Sequence, residues 1–192
     1  MKKAVILTLA TLLLSGCGIT NSIRIENDIV MKTKRVTYSV YFSANQRYEP
    51  YYSQDISFVK ETDKNNRTTY TIFDVITLPV ESFDIEEDKL YMIIDDDVIS
   101  FPTTYVKQYD SRKITEKKGE IMKSDSTKVS VVTGYDVVNK KTIHMTHILS
   151  DEIVEKIRKA NVLNLRYYMG ASYINSEIKK KKMENLKKMI DN

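Results

Sequence analysis

Enough apolar material for one ordinary core is present in a chain of 192 residues, 42% of them hydrophobic, while 30 basic and 26 acidic side chains leave a formal charge of only +4. That near balance gives no argument for a nucleic-acid-binding protein, whose footprint is a basic surface, and a single cysteine excludes any intramolecular disulfide. Thirteen tyrosines beside many valines, isoleucines and threonines favour β structure, and five glycines and three prolines leave no low-complexity linker.

The first element is not a structural one. Lys2 and Lys3 precede an uncharged run from Ala4 to Leu14, which as a helix would span roughly 16 Å against a hydrocarbon core of about 30 Å. Such a run is too short to cross a membrane and fits a signal h-region. It ends in Leu14-Ser15-Gly16-Cys17. These four residues resemble the lipobox of bacterial lipoprotein precursors. The resemblance covers about the first 17 residues and implies cleavage between Gly16 and Cys17 and a diacylglycerol thioether on Cys17. Acylation would also account for a lone cysteine in an exported chain, and a two-chain lipid meets the requirement for stable anchoring. The expected organisation is a signal peptide over 1–16, a lipidated tether over 17–22 and a single β-rich domain over 23–192. Loss of Lys2 and Lys3 would lower the charge to +2. Gly18 stands where enteric bacteria place a retention aspartate, so outer-membrane attachment facing the periplasm is expected in an envelope with two membranes.

Residues 23–42 read as extended, with Val36, Tyr38, Val40 and Phe42 alternating with polar neighbours in the period of a half-buried strand. A tyrosine-rich loop follows around Pro50, then strands at 56–59 and 67–77 joined by a turn at 63–66. Leu90–Ile94 and Val98–Phe101 flank an Asp95-Asp96-Asp97 turn, and Thr103–Gln108 extends past Pro102. Residues 110–126 read as charged and irregular. Lys128–Val138 alternates, placing Val129, Val131, Thr133, Tyr135 and Val137 on one face, and Asn139-Lys140-Lys141 reads as a turn before a partner strand at 142–149. Ser150 then looks like an N-cap, with Asp151 and Glu152 where a helix dipole favours acid, and helical spacing runs to Ala160. Strands at 162–168 and 173–178 turn at Gly170, and Met183, Leu186 and Ile190 mark one face of a terminal helix over 180–190. The fold expected is α+β, an antiparallel β-sheet or sandwich with a small helical C-terminal part.

Few residues invite a chemical role. His144 and His147 are the only histidines. Three apart in a strand, they point to opposite faces and cannot easily share a metal. The acidic runs at 84–88 and 95–97 lack the spacing and glycine of a calcium loop and read as hairpin turns. Lysines 179–182, 187 and 188 form a basic face on the last helix, suited to solvent or to anionic headgroups. Tyr48, Tyr51 and Tyr52 crowd one loop, and tyrosine rings contribute contact area at low entropy cost; this is the candidate binding loop. No nucleophile elbow, phosphate-cradling glycine loop or His-Glu-x-x-His motif occurs, so neither catalytic residues nor a cofactor nor a metal is assigned. The function expected is a non-enzymatic envelope lipoprotein, bound to membrane lipid through Cys17 and holding a protein or glycan partner. An envelope hydrolase using acidic residues and a carrier of a small apolar ligand stand as alternatives.

Overall fold

The computed structural model describes residues 22–44, 51–85, 89–124 and 126–192. Leu14-Ser15-Gly16-Cys17, where the sequence resembles a lipobox, and Tyr48 lie outside the described residues. In chain order the elements are β1 (Ile23–Asp28), β2 (Thr33–Ser43), β3 (Ser53–Thr62), β4 (Thr68–Pro79), β5 (Lys89–Ile94), β6 (Asp97–Pro102), β7 (Tyr105–Met122), β8 (Lys128–Leu149), α1 (Asp151–Lys159), β9 (Val162–Met169), β10 (Ser172–Lys179) and α2 (Lys181–Asp191).

All the strand pairs are antiparallel, and they build two sheets, one of six strands in the order β1-β2-β3-β4-β8-β7 and one of four in the order β10-β9-β5-β6. Alternation decides what each strand buries. In the larger sheet Val36, Tyr38 and Val40 of β2, Ile56 and Phe58 of β3, Ile72 and Ile76 of β4, and Ile143 and Met145 of β8 turn inward. Leu90 and Met92, Leu163 and Leu165, and Ile174 and Ile178 do the same from the smaller sheet, and all belong to one core cluster. Burying a side chain of this size contributes roughly 1.5–3 kcal/mol. The sheets are therefore pressed face to face by the same two-residue period that forms their strands.

The helices finish this core. Ser150 caps α1 by accepting from the Ile153 N–H at 3.4 Å, and Val154 and Ile157 face inward. Helix α2 buries Met183, Leu186, Met189 and Ile190. Its lysines serve partly as packing: Lys182 Nζ lies 3.9 Å from the centroid of the Phe42 ring. Lys34 and Lys60 each donate from Nζ at 2.7 Å to the carbonyls of Asn192 and Ile190, placing cations at the negative end of the helix.

Three expectations from sequence are corrected. Residues 23–42 are two strands, because Asp28 Oδ1 accepts from the Val30 and Met31 N–H groups and folds the chain back through Lys32 at φ 54°. Residues 110–126 are not irregular: the 18-residue strand β7 runs through most of them, paired along its length with β8. Nor does Asn139-Lys140-Lys141 turn, since β8 is one continuous strand of 22 residues. Beyond the Pro79–Lys140 pair β4 no longer accompanies β8, so the stretch from Arg112 to Asn139 leaves the sandwich as a two-stranded arm. A register shift at Lys117/Lys118 leaves Thr133 as an extra residue in β8. That bulge puts Val129 and Val131 on the face opposite Tyr135 and Val137, where strict alternation predicted a shared face.

Candidate functional site

Where the arm leaves the sheet, its outward side chains and those of β2 and the entry to β3 border an open groove of about 600 Å³. Its floor is Tyr41 of β2 with Tyr52 and Ser53 at the entry to β3, and its wall is Lys113, Thr115, Asp136 and Val138 of the arm with Lys140 of β8 just below the arm's root. Alternation explains the floor: with Val40 and Gln54 turned inward, Tyr41 and Ser53 must turn outward. Tyr41 is 47% exposed. Lys140 Nζ stands 5.1 Å from the Tyr52 ring centroid, within cation–π range. Asp136 is held 2.6 Å from Lys117 Nζ. The groove thus presents two phenol rings and the ammonium groups of Lys113 and Lys140.

Of the two candidate loop tyrosines among the described residues, Tyr52 reaches this groove. Tyr51 is 4% exposed and belongs to the core. Tyr41, Lys113 and Lys140 were not singled out from sequence, because they lie far apart in the chain and are joined only by the course of the arm.

A second cluster is buried between the sheets. Ser176 Oγ donates to Gln54 Oε1. Gln54 Nε2 donates to Asp74 Oδ2 at 2.6 Å, and the Tyr167 hydroxyl donates to the same oxygen at 2.8 Å. A hydroxyl has one proton to give, so its oxygen accepts from His147 Nε2–H at 2.9 Å. All five residues are at most 1% exposed, and the Ser176–Gln54, Tyr167–Asp74 and His147–Tyr167 links each cross from one sheet to the other. Burial, the largest influence, lifts the Asp74 carboxyl from 3.8 to about 7 despite the Tyr167 and Gln54 donors. Burial also lowers His147 to about 4 and pushes the Tyr167 phenol well above its usual value. The network is sealed from solvent, so its chemical use is to fix how the sheets face one another: an unpaired member would bear the full desolvation penalty. It has a sequence signal that went unread. Gln54, Asp74, His147, Tyr167 and Ser176 each occupy an inward position in a strand whose neighbouring inward positions are apolar, as Asp74 does between Ile72 and Ile76.

His144 and His147 fall on opposite faces of β8. The first is exposed, with its ring 5.3 Å from that of Tyr109 in an edge-on arrangement. The aspartate turn is tied internally: Asp95, at φ 50°, accepts on Oδ1 from the N–H groups of Asn161 and Val162, both at 2.9 Å. Asp84 holds Lys141 Nζ at 2.6 Å. Among the described residues no cluster of three or more His, Asp or Glu side chains stands where it would hold a metal ion, and no helix is long and apolar enough to cross a membrane. No family model, curated protein or solved structure matches this chain.

Proposed function

We propose that this protein is a lipid-anchored, non-enzymatic binding module of the bacterial cell envelope, held to the membrane through Cys17, that grips an acidic glycan in the groove at the root of its arm. The observation that carries this reading is the pairing of two outward tyrosine rings, Tyr41 and Tyr52, with Lys113 and Lys140 across one cleft. Phenol rings stack on the apolar faces of sugars while their hydroxyls stay hydrated. The ammonium groups supply charge complementarity for carboxylate or phosphate substituents. The lipobox Leu14-Ser15-Gly16-Cys17 supplies the anchor. We also class the fold as α+β, because α2 contributes four side chains to the core rather than decorating it.

The test uses the full chain expressed in a bacterium, extracted in detergent and passed over immobilised acidic wall saccharide, with intact mass read on the same preparation. Retention, weakened about tenfold by Tyr41→Ala or Tyr52→Ala, together with a mass beginning at an acylated Cys17, is the expected result. Absence of retention sinks the glycan reading. An unmodified N-terminus sinks the anchor.

A further inference from the structure

The outer edge of β7 closes the larger sheet, and among the described residues no strand lies beyond it. An 18-residue edge with no strand beside it among the described residues is the kind of template that natural sheets shorten, cover or block. It contains no proline, and the apolar side chains it carries are open to solvent: Ile114 is 57% and Met122 67% exposed. A two-stranded ribbon standing alone in water is marginal at best. The arm is therefore a surface that gains from a further strand.

The sequence of β7 says which strand. The face it shares with Ile114 reads, at every second residue, Val106, Gln108, Asp110, Arg112, Ile114, Glu116, Lys118, Glu120 and Met122. Set against a reversed copy of itself about Ile114, Arg112 meets Glu116 and Asp110 meets Lys118. Each match occurs twice, Ile114 meets Ile114, and Val106 meets Met122. Directly opposed side chains in antiparallel pairs are close enough for opposite charges to stabilise and like charges to destabilise. The other face is compatible, opposing Lys113 to Thr115, Ser111 to Lys117 and Tyr109 to Gly119. Neighbouring registers fail. Centring on Lys113 sets Asp110 against Glu116, centring on Arg112 sets Lys107 against Lys117, and centring on Thr115 sets Arg112 against Lys118 and Lys113 against Lys117.

We infer that two copies of this protein pair antiparallel along β7, related by a two-fold axis through Ile114, so that their six-stranded sheets become one continuous sheet. The self-complementary charge order selects a second copy over a foreign strand, which has no reason to match it. The association uses the edge and leaves both faces of the arm, and hence the groove, uncovered. It does not depend on what the groove binds.

The full chain in detergent is examined by light scattering and by cross-linking. The wild type is expected to be a dimer in the micromolar range. Arg112→Glu and Glu116→Arg each place two like-charge pairs at the interface and are expected to weaken dimerisation by more than about tenfold. The double exchange restores both matches and the dimer. Ile114→Cys brings a cysteine opposite its own copy at a separation a disulfide spans and is expected to give a covalent homodimer on mild oxidation. Ile121→Cys, at a position 51% exposed against 57% for Ile114 but opposed to Lys107, does not, and neither does the parent chain. A monomeric wild type, a double exchange that fails to recover, equal cross-linking at 114 and 121, or capture of another protein at position 114 each overturns the inference. These arm residues contribute nothing to the core, so circular dichroism matching the wild type is expected throughout.

Discussion

Two titratable side chains in the core oppose one another in their dependence on pH. Asp74 is lifted from 3.8 to about 7, so between those values the unfolded chain has lost a proton that the folded chain keeps. Its contribution is fully present below pH 3.8 and is lost as pH rises through about 7. His147 is lowered from 6.5 to about 4. Its contribution is present above pH 6.5 and is lost as pH falls through about 4, because the unfolded chain takes up a proton that the folded core refuses. The windows overlap between about pH 4 and 6.5, and there the two slopes cancel. Each substitution exposes the other term. Asp74→Asn is expected to lose stability relative to wild type as pH falls from about 6.5 to 4. His147→Gln, which keeps a donor for Tyr167, is expected to gain relative stability over the same interval. Either slope approaches about 1.4 kcal/mol per pH unit. Urea unfolding at a series of pH values reads the differences, and curves parallel to wild type for both variants would show that neither group is shifted.

At the scale of elements, the core and the arm answer differently to the same kind of change. Leu186 of α2 is 1% exposed in the centre of the core, and Leu186→Ala is expected to lower the unfolding free energy by about 2–5 kcal/mol. Ile114→Ala removes a comparable side chain from an exposed position of the arm and, at concentrations where the protein is monomeric, is expected to change it by less than about 0.5 kcal/mol; urea titration of the two variants side by side at such a concentration checks the contrast, and equal losses would mean that the arm packs on the core. The same distinction sets what was legible in the sequence. Period-two alternation is written by burial of one face, so β2, β3, β4 and β9 could be read directly, as could α1 from its Ser150 cap. Residues 110–122 are exposed on both faces and carry no such period, which is why they read as irregular although their strand is long. Asn139-Lys140-Lys141 has turn composition, but its conformation is fixed by pairing with Arg112, Ser111 and Asp110, a non-local constraint that composition does not record. The groove was illegible for the same reason: Tyr52 stood out as part of a cluster, while Lys113 and Lys140 gain meaning only where the arm carries them.

Taken whole, the molecule separates what makes it stable from what it presents. Among the described residues the core cluster draws on both sheets and both helices and on nothing in the arm. The arm, by contrast, supplies the wall of the groove and the free edge of β7. Arg112 and Asn139 are direct register partners at the arm's root. Replacing residues 113–138 with Asn-Gly, a two-residue turn suited to antiparallel strands, therefore closes the hairpin without disturbing the sandwich. The shortened chain is expected to melt within about 4 °C of wild type, since no core contact is removed, and to lose retention on acidic saccharide together with self-association. Differential scanning calorimetry and the same affinity and light-scattering measurements decide it. A collapse of the melting transition would mean that the arm stabilises the sandwich itself. A stable shortened chain that still binds saccharide would move the binding surface off the arm and onto the outer face of the larger sheet, where Tyr41 remains.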